Sequence, residues 1–325
     1  VCQTGLWREG ETRSPALRQT EVNSMRTIAK VLNRDKYLLL LILPVLLYYV
    51  VFHYIPMYGI VIAFKKFSPM KGILDSAWVG FDHFIQFFNS IYFWRLLKNT
   101  LLLSLYSLFW GFPVPILFAL LLNEVREGIF KKSVQTISYL PHFISVVVVA
   151  GMIVNFTTVQ GGVINQILGW FGAGPINFLS ESGWFRPIYI ASSIWQGFGW
   201  SSIIYLAAIA GIDPQLYEAA EMDGASRWRK MWHITLPCLL PTTAILFILA
   251  VGNLMDVGFE KIILLYNPTT YETADVISTF VYRQGIQQAN YSYSTAIGLF
   301  NNVINLILLV IVNRVSRKLS ETSLW

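Results

Sequence analysis

Three groups of polar and aromatic side chains interrupt apolar stretches of this 325-residue chain, and their types suit hydrogen bonding and stacking rather than bond making. Trp195, Gln196 and Trp200 form the first, with Gln196 and Trp200 four residues apart. Asn253, Asp256 and Glu260 form the second, at i, i+3 and i+7, a spacing that lays them along one face of a helix. Asn301, Asn302 and Asn305 form the third, with Asn301 and Asn305 at i, i+4. Aromatic faces beside amides match a solute that presents both CH patches and hydroxyls, as a sugar ring does. The same residue types also tie membrane helices together, and position by position that structural role is the commoner one. As a set they are the candidate path for a polar solute, although Asp256 and Glu260 also suit the outer end of a helix.

No catalytic constellation accompanies these residues. The phosphate loop G-x-x-x-x-G-K-[ST] is absent, and its nearest approach, "GIFKKS" at Gly128 to Ser133, lacks the second glycine and its spacing. Neither a G-x-S-x-G elbow nor an H-E-x-x-H helix occurs, and no acid-base pair is recognisable. His83 has no second ligand at metal spacing. Cys2 and Cys238 suggest neither a metal site nor a disulfide. The chain reads as a non-enzyme that binds no metal or cofactor itself.

The elements that would position the polar groups are membrane helices. Hydrophobic residues make up 55% of the chain and charged ones 13%, where a soluble globule carries about a quarter charged. A hydrocarbon core of ~30 Å takes about 20 apolar residues per helix. Six candidate spans follow: Tyr37 to Met57, Asn99 to Leu122, Ile137 to Phe156, Pro187 to Ile212, Pro237 to Val257 and Thr295 to Val312. Pro141, His142, Gly151 and Asn155 interrupt the third, which a bundle tolerates because neighbours satisfy the freed backbone groups. The first is too long for a secretory signal and is followed by no small-residue cleavage site.

Lys and Arg set the orientation. Sixteen fall in the N-terminal segment, the 2-3 loop, the 4-5 loop and the C-terminal tail, against eight in the other three loops, which predicts both termini in the cytoplasm. Contact with anionic headgroups accounts for the net charge of +6, and no nucleic-acid motif competes with that reading. Lys65, Lys66 and Lys71 depart from the pattern on the outer side, where they suit an anionic sugar, an acidic protein face or headgroups equally. Residues 1–24 are polar and aperiodic and read as disordered, with Met25 as an alternative natural start. The aromatic-dense Phe81 to Leu97 suits either the membrane-water interface or packing on the bundle's outer face. The stretch Phe259 to Ser294 is too long for a tight helix connection and is expected to carry structure and a docking role.

The 4-5 loop, Gly211 to Pro237, holds the most particular pattern. Pro214 opens it, "PQLYEAAEMDGA" reads as a short helix, and Gly224 lets the chain turn at that helix's end. A second short helix, about Ser226 to Ile234, is expected with Ser226 as its N-cap. Small alanines permit close approach to a partner surface, while Glu218 and Asp223 can pair with basic groups upon it. A solvated connector would explain the charge but not the whole pattern.

That pattern is E-A-A, three residues, G, nine residues, I-x-L-P, filled by Glu218, Ala219, Ala220, Gly224, Ile234, Leu236 and Pro237. It resembles the signature of the membrane subunits of binding-protein-dependent ABC importers. "RDKYLLLLILPVLLYYVVFHYIPMYGIVIAF", "LPHFISVVVVAGM" and "IDPQLYEAAEMDGA" extend the resemblance to the branch that handles carbohydrates and polysaccharides, alginate importers above all, over about Arg34 to Trp325.

The resemblance implies an all-α, six-helix permease fold of the type I importer class in a bacterial cytoplasmic (inner) membrane. It divides the chain into a cytoplasmic segment 1–36, a permease domain 37–313 with its coupling loop 211–237, and a tail 314–325. It implies a homologous second permease subunit, two ATPase subunits that bind ATP and Mg, and an extracytoplasmic solute-binding protein. The short helices carrying Glu218 to Pro237, Asp223 included, would then seat in the ATPases. Alginate as the solute rests on resemblance alone, since helices four to six hold no cation within their central apolar spans. A self-sufficient ion-coupled secondary transporter is the alternative, but no inverted repeat is found and central acids are few. A membrane enzyme acting on glycans ranks third.

Overall fold

The computed structural model describes residues 36–320. The readings made for residues 1–24, Met25 and Cys2, together with most of the N-terminal basic residues, lie outside the described residues. The chain divides into a unit of residues 1–60 and a unit of residues 61–325. In the first, α1 (Lys36–Tyr49) is apolar almost throughout and tolerates Pro44 within it.

The second unit opens on a hairpin, β1 (Lys65–Ser68) and β2 (Gly72–Trp78), paired antiparallel with Lys65 opposite Trp78. The all-α expectation is corrected by these two short strands. Four residues of β1 carry too little alternation to announce a strand. Gly72, at φ +71°, supplies a turn that a Cβ would strain. The Lys65 ammonium donates to the carbonyls of Ile73 and Leu74, both at 2.8 Å, and is buried by the hairpin it closes. Of the three lysines expected on the outer side, Lys66 and Lys71 are exposed, whereas Lys65 is buried.

Helices α2 (Asp82–Phe88), α3 (Phe93–Gly111) and α4 (Pro113–Glu124) follow, and α3 with α4 forms one long apolar stretch. Helix α5 (Ile129–Tyr139) ends in a tight turn, Leu140–Phe143, before α6 (Val146–Thr157), and the two arms meet at 98°. The third expected span, Ile137 to Phe156, is therefore not one straight helix. Pro141 removes a backbone donor at the break, and Ser145 caps the new start by accepting from the Val148 amide at 3.4 Å.

After α7 (Val163–Trp170) comes α8 (Ser182–Ala210), whose 29 residues make a rod about 44 Å long. Helix α9 (Pro214–Met222) occupies the 4-5 loop. Next, α10 (Arg227–Lys230) runs without a break through a wide π turn, Met231–Thr235, into α11 (Leu236–Gly252). The second short helix of the loop is thus the beginning of the fifth apolar stretch, not a separate element. Pro237 has no N–H to give the preceding turn, and the widened turn just before it accommodates that loss.

Helices α12 (Phe259–Leu265), α13 (Tyr271–Ala274) and α14 (Ile277–Tyr282) give the Phe259–Ser294 stretch the structure expected of it, and α15 (Tyr291–Ser320) closes the chain. Among the described residues, four helical stretches are long and apolar enough to cross a membrane: Lys36–Phe64, Phe93–Glu124, Arg227–Gly252 and Tyr291–Val315. The bent pair α5–α6 makes a fifth if counted as one span. Helix α8 has the length but less apolarity, because Ser and Gly recur along it and Arg186 and Gln196 interrupt it.

Three apolar clusters hold the second unit together. Leu103, Phe185, Tyr189 and Ile262 join α3, α8 and α12, while Phe87, Leu96, Phe280 and Ile297 join α2, α3, α14 and α15. Ala119, Tyr205, Ile209, Met231 and Leu239 join α4, the end of α8 and the π turn with α11. A polar cluster sits between α3 and the segment before α14. Asp275, with no exposed surface, accepts from Arg283 at 2.6 Å, from Arg95 at 3.2 Å and from the Thr279 hydroxyl at 2.9 Å. Asn99 donates to the Asp275 carbonyl and accepts from Arg186 at 2.8 Å, which brings α8 into the same network. Burial alone would lower the Arg283 pKa, but the Asp275 carboxylate outweighs it and holds the guanidinium above its ordinary value.

Candidate functional site

Two regions carry the residues singled out in the sequence. The first is the loop around α9. Asp213 caps that helix, its side chain accepting from the Gln215 amide at 3.0 Å, and Pro214 occupies the first turn where no donor is needed. At the other end Gly224 takes φ +74°, and the Ala225 amide reaches the Ala220 carbonyl at 2.9 Å. This is the left-handed stop expected of that glycine. Ser226 then caps α10, accepting from the Arg229 amide at 3.4 Å.

The loop is closed on itself by side chains as well. Glu221 pairs with Lys230 across the turn, and the Lys230 hydrogen bond, followed by its charge, draws the Glu221 pKa below its ordinary value. The Tyr217 hydroxyl meets the Thr235 hydroxyl at 2.9 Å, tying α9 to the π turn. Glu218, Ala219, Asp223, Gly224 and Pro237 are exposed, while Ala220, Ile234 and Leu236 are half-buried. Neither Glu218 nor Asp223 has an ion-pair partner among the described residues, so both carboxylates face outward unspent. Leu216, Met222, Trp228 and Trp232 are exposed nearby and add apolar surface to the same loop.

The second region is a cavity of about 720 Å³ walled by α3, α4, α8, α11 and the residues after it. That size lies within the ~300–1,000 Å³ typical of small-ligand sites. It brings together Trp200, Asn253 and Asp256 from the sequence-selected set. Ser104, Ser107, Tyr189, Ser201 and Tyr205 also line it and were not singled out. Serine in an amphipathic helix gives no signal of its own; only the convergence of α3 and α8 reveals it.

The remaining sequence-selected residues lie elsewhere. Helix α11 ends at Gly252, so Asn253 is its C-cap, Asp256 lies in the following turn and Glu260 belongs to α12. The i, i+3, i+7 face is therefore not formed, since the helical period stops before its second member. Asn253 donates back to the Leu249 carbonyl at 3.1 Å. Gln196 donates to the Ile144 carbonyl at 2.9 Å, holding the break between α5 and α6 against α8. Trp195 is exposed and does not line the cavity. Asn305 accepts from the Met255 amide at 2.9 Å, and Asn301 and Asn302 line a separate hollow of about 400 Å³.

Trp200 is held from one side. The His142 ring stacks on it with centroids 4.6 Å apart and planes 2° from parallel, and Phe143 meets it edge-on at 5.4 Å. One residue earlier, Gly199 brings the α8 backbone so close to α5 that a Cβ there would stand 2.1 Å from the Ser138 carbonyl oxygen. Such contact needs glycine. The break at Pro141 and the cavity wall at Trp200 are thus one packed assembly.

This arrangement can hold a polar solute by hydroxyls, amide and indole, and offers no group poised for bond cleavage. Comparison with known proteins gives the same class. Residues 100–321 match the family described as binding-protein-dependent transport system inner membrane component. The polygalacturonan/rhamnogalacturonan transport system permease protein YteP of Bacillus subtilis (strain 168) is 51% identical over 294 residues, which covers 90% of this chain and 92% of that protein. Protein LplB of the same organism is 47% identical over the same shares of both. The crystal structure of a bacterial ABC transporter involved in the import of the acidic polysaccharide alginate contains a chain 50% identical, with a TM-score of 0.84, covering 90% of this chain and 99% of that one. The same transporter type in complex with an alginate pentasaccharide-bound periplasmic protein gives 49% identity, a TM-score of 0.84, and coverage of 91% and 99%. The chain therefore belongs to the binding-protein-dependent transport system inner membrane component family and is a membrane permease subunit of a carbohydrate ABC importer.

Proposed function

We propose that this chain forms half of the path by which an acidic oligosaccharide crosses a bacterial cytoplasmic membrane, with both termini inside. Its six crossings would be the four long apolar stretches, the bent pair α5–α6 and α8. A homologous second permease supplies the other half, an extracytoplasmic solute-binding protein delivers the solute, and two ATPase subunits bind ATP and Mg. The α9 loop seats in an ATPase cleft, Glu218 and Asp223 pairing with basic groups there, and transmits closure of the ATPases to the bundle.

The observation that carries the reading is that loop. It is internally closed by Asp213, Gly224, Lys230 and Tyr217, yet it leaves two carboxylates without an ion-pair partner among the described residues and four large apolar side chains exposed. A mere connector would not expose them together. The substrate class is supported by relatives at about half identity whose names speak of polygalacturonan and of alginate, both polymers of uronic acids.

Gentle purification of the tagged chain from its own membranes, with mass spectrometry of the co-purifying proteins and an ATPase assay, tests the assembly. Recovery of a P-loop ATPase and a second polytopic subunit is the expected result. A lone, folded, ATPase-free protein would overturn it in favour of a self-sufficient secondary transporter.

A further inference from the structure

Three buried or half-buried cations have strong acceptors. Lys65 has two carbonyl acceptors, and Arg95 and Arg283 share the Asp275 carboxylate. Lys261 differs. It lies in α12, outside the candidate spans, with 6% of its surface exposed. Its ammonium donates to the Ser193 hydroxyl at 3.1 Å and stands 5.9 Å from the centre of the Tyr189 ring. No carboxylate lies within 4.0 Å of it among the described residues.

An ammonium has three donors, and a buried charge without a counter-charge is costly. One neutral hydroxyl and one distant ring satisfy it poorly. Burial accordingly pushes its pKa down to about 8.

Its surroundings point to what would complete it. Tyr189 lines the 720 Å³ cavity, and the Tyr189 hydroxyl accepts from the Gly258 amide at 3.1 Å, three residues before Lys261. Ser193, the lysine's acceptor, lines an adjoining chamber of about 190 Å³ that shares Ser107, Gly111, Pro115 and Ser201 with the cavity. The ammonium is therefore one hydroxyl removed from the chambers. Asp256 is the charged side chain on the cavity wall among the described residues, and by itself it would repel an acidic sugar.

We propose that Lys261 is a specificity-determining residue whose ammonium leaves Ser193 for a substrate carboxylate as an oligouronate passes these chambers. The proposal rests on the acidic-substrate reading above. A lysine stem is long and flexible enough for such an exchange. A neutral sugar offers no anion, so it has nothing to gain from Lys261 that Ser193 does not already provide. A carboxylate exchanges a neutral hydrogen bond for a charge-assisted one and relieves the repulsion from Asp256.

The test uses the whole importer with its binding protein in proteoliposomes, comparing a galacturonate tetrasaccharide with the same tetrasaccharide after reduction of its carboxylates to alcohols. Uptake is normalised to the assembled transporter recovered. Lys261→Met is expected to reduce the acidic-to-neutral uptake ratio roughly ten- to a hundredfold, the range of a charged hydrogen bond, and Lys261→Arg to restore most of it. A wild-type importer that takes the acidic sugar, with a ratio unchanged in Lys261→Met, overturns the role of Lys261 and leaves the acidic-substrate reading standing. A wild-type importer that carries only the reduced sugar overturns both.

Discussion

Arg283 reaches Asp275 at 2.6 Å on the same carboxylate oxygen, Oδ2, that Arg95 approaches at 3.2 Å. One fully buried carboxylate thus joins α3 to the segment between α14 and α15, while the Asp275 backbone carbonyl separately accepts from Asn99, which in turn accepts from Arg186 of α8. Asp275→Asn leaves two guanidinium groups around a neutral amide and is expected to destabilise the subunit by about 3–5 kcal/mol, as breaking a buried pair does. Thermal unfolding of the detergent-solubilised complex reads this directly. A melting temperature equal to that of the wild type would show that the network contributes nothing.

Gly224 is the second site of a sharp expectation. A Cβ there meets nothing within 4 Å, so the cost of a side chain is the φ of +74° itself, about 1–2 kcal/mol, confined to an exposed turn. Gly224→Asp adds a charge to the face proposed to seat in the ATPase. The variant should reach the membrane in normal amount while ATP-driven uptake is abolished, measured as labelled oligosaccharide accumulated per transporter. Normal uptake would count heavily against the coupling role of the loop.

Gly199 and Gly197 separate packing from propensity. A Cβ at Gly199 would press on the Ser138 backbone at 2.1 Å, whereas one at Gly197 meets nothing within 4 Å. Gly199→Ala should force α5 away from α8 and cost about 1–3 kcal/mol, the usual range for overpacking. Gly197→Ala should instead stabilise the subunit by about 0.5–1 kcal/mol, because alanine is the better helix former and its Cβ meets no neighbour. Paired unfolding curves of the two variants decide it, and equal shifts would mean that α5 yields freely.

Lys261 makes a prediction about stability independent of transport. Its ordinary pKa of 10.5 falls to about 8 when burial removes it from water. At pH 7 both folded and unfolded chains carry the proton, and the folded one bears the full burial cost. Between pH 8 and 10.5 the folded chain has released a proton that the unfolded chain still holds, so stability rises with pH across that window. Lys261→Met should unfold at a higher temperature than wild type at pH 7 and lack the rise above pH 8. A variant more stable yet less able to move an acidic sugar would separate the two roles of the lysine.

Much of the α9 loop was legible in the sequence because its cues are local. Gly224 as a left-handed stop and Ser226 as a cap depend on near neighbours, and the structure places both as expected. The 98° break at Pro141 was visible only as a blemish, since whether a bundle bends or merely tolerates a proline depends on what packs there. Here Gln196, Gly199 and Trp200 of α8 hold the bend. The Asn253, Asp256 and Glu260 face failed because periodicity cannot tell where a helix stops, and α11 stops at Gly252. Ser104, Ser107 and Tyr189 became cavity residues only through tertiary convergence of α3 with α8.

The manner in which the α9 loop is closed bears on how such importers diversify. Its cap, its glycine turn, its Glu221–Lys230 pair and its Tyr217–Thr235 bond all lie between Asp213 and Thr235, and none calls on the rest of the bundle. A segment that carries its own fastenings can be transplanted as a unit, provided Met231, which packs with α4 and α8, is kept. Exchanging residues 213–235 between permeases should change which motor a transporter accepts while leaving untouched which cargo it moves.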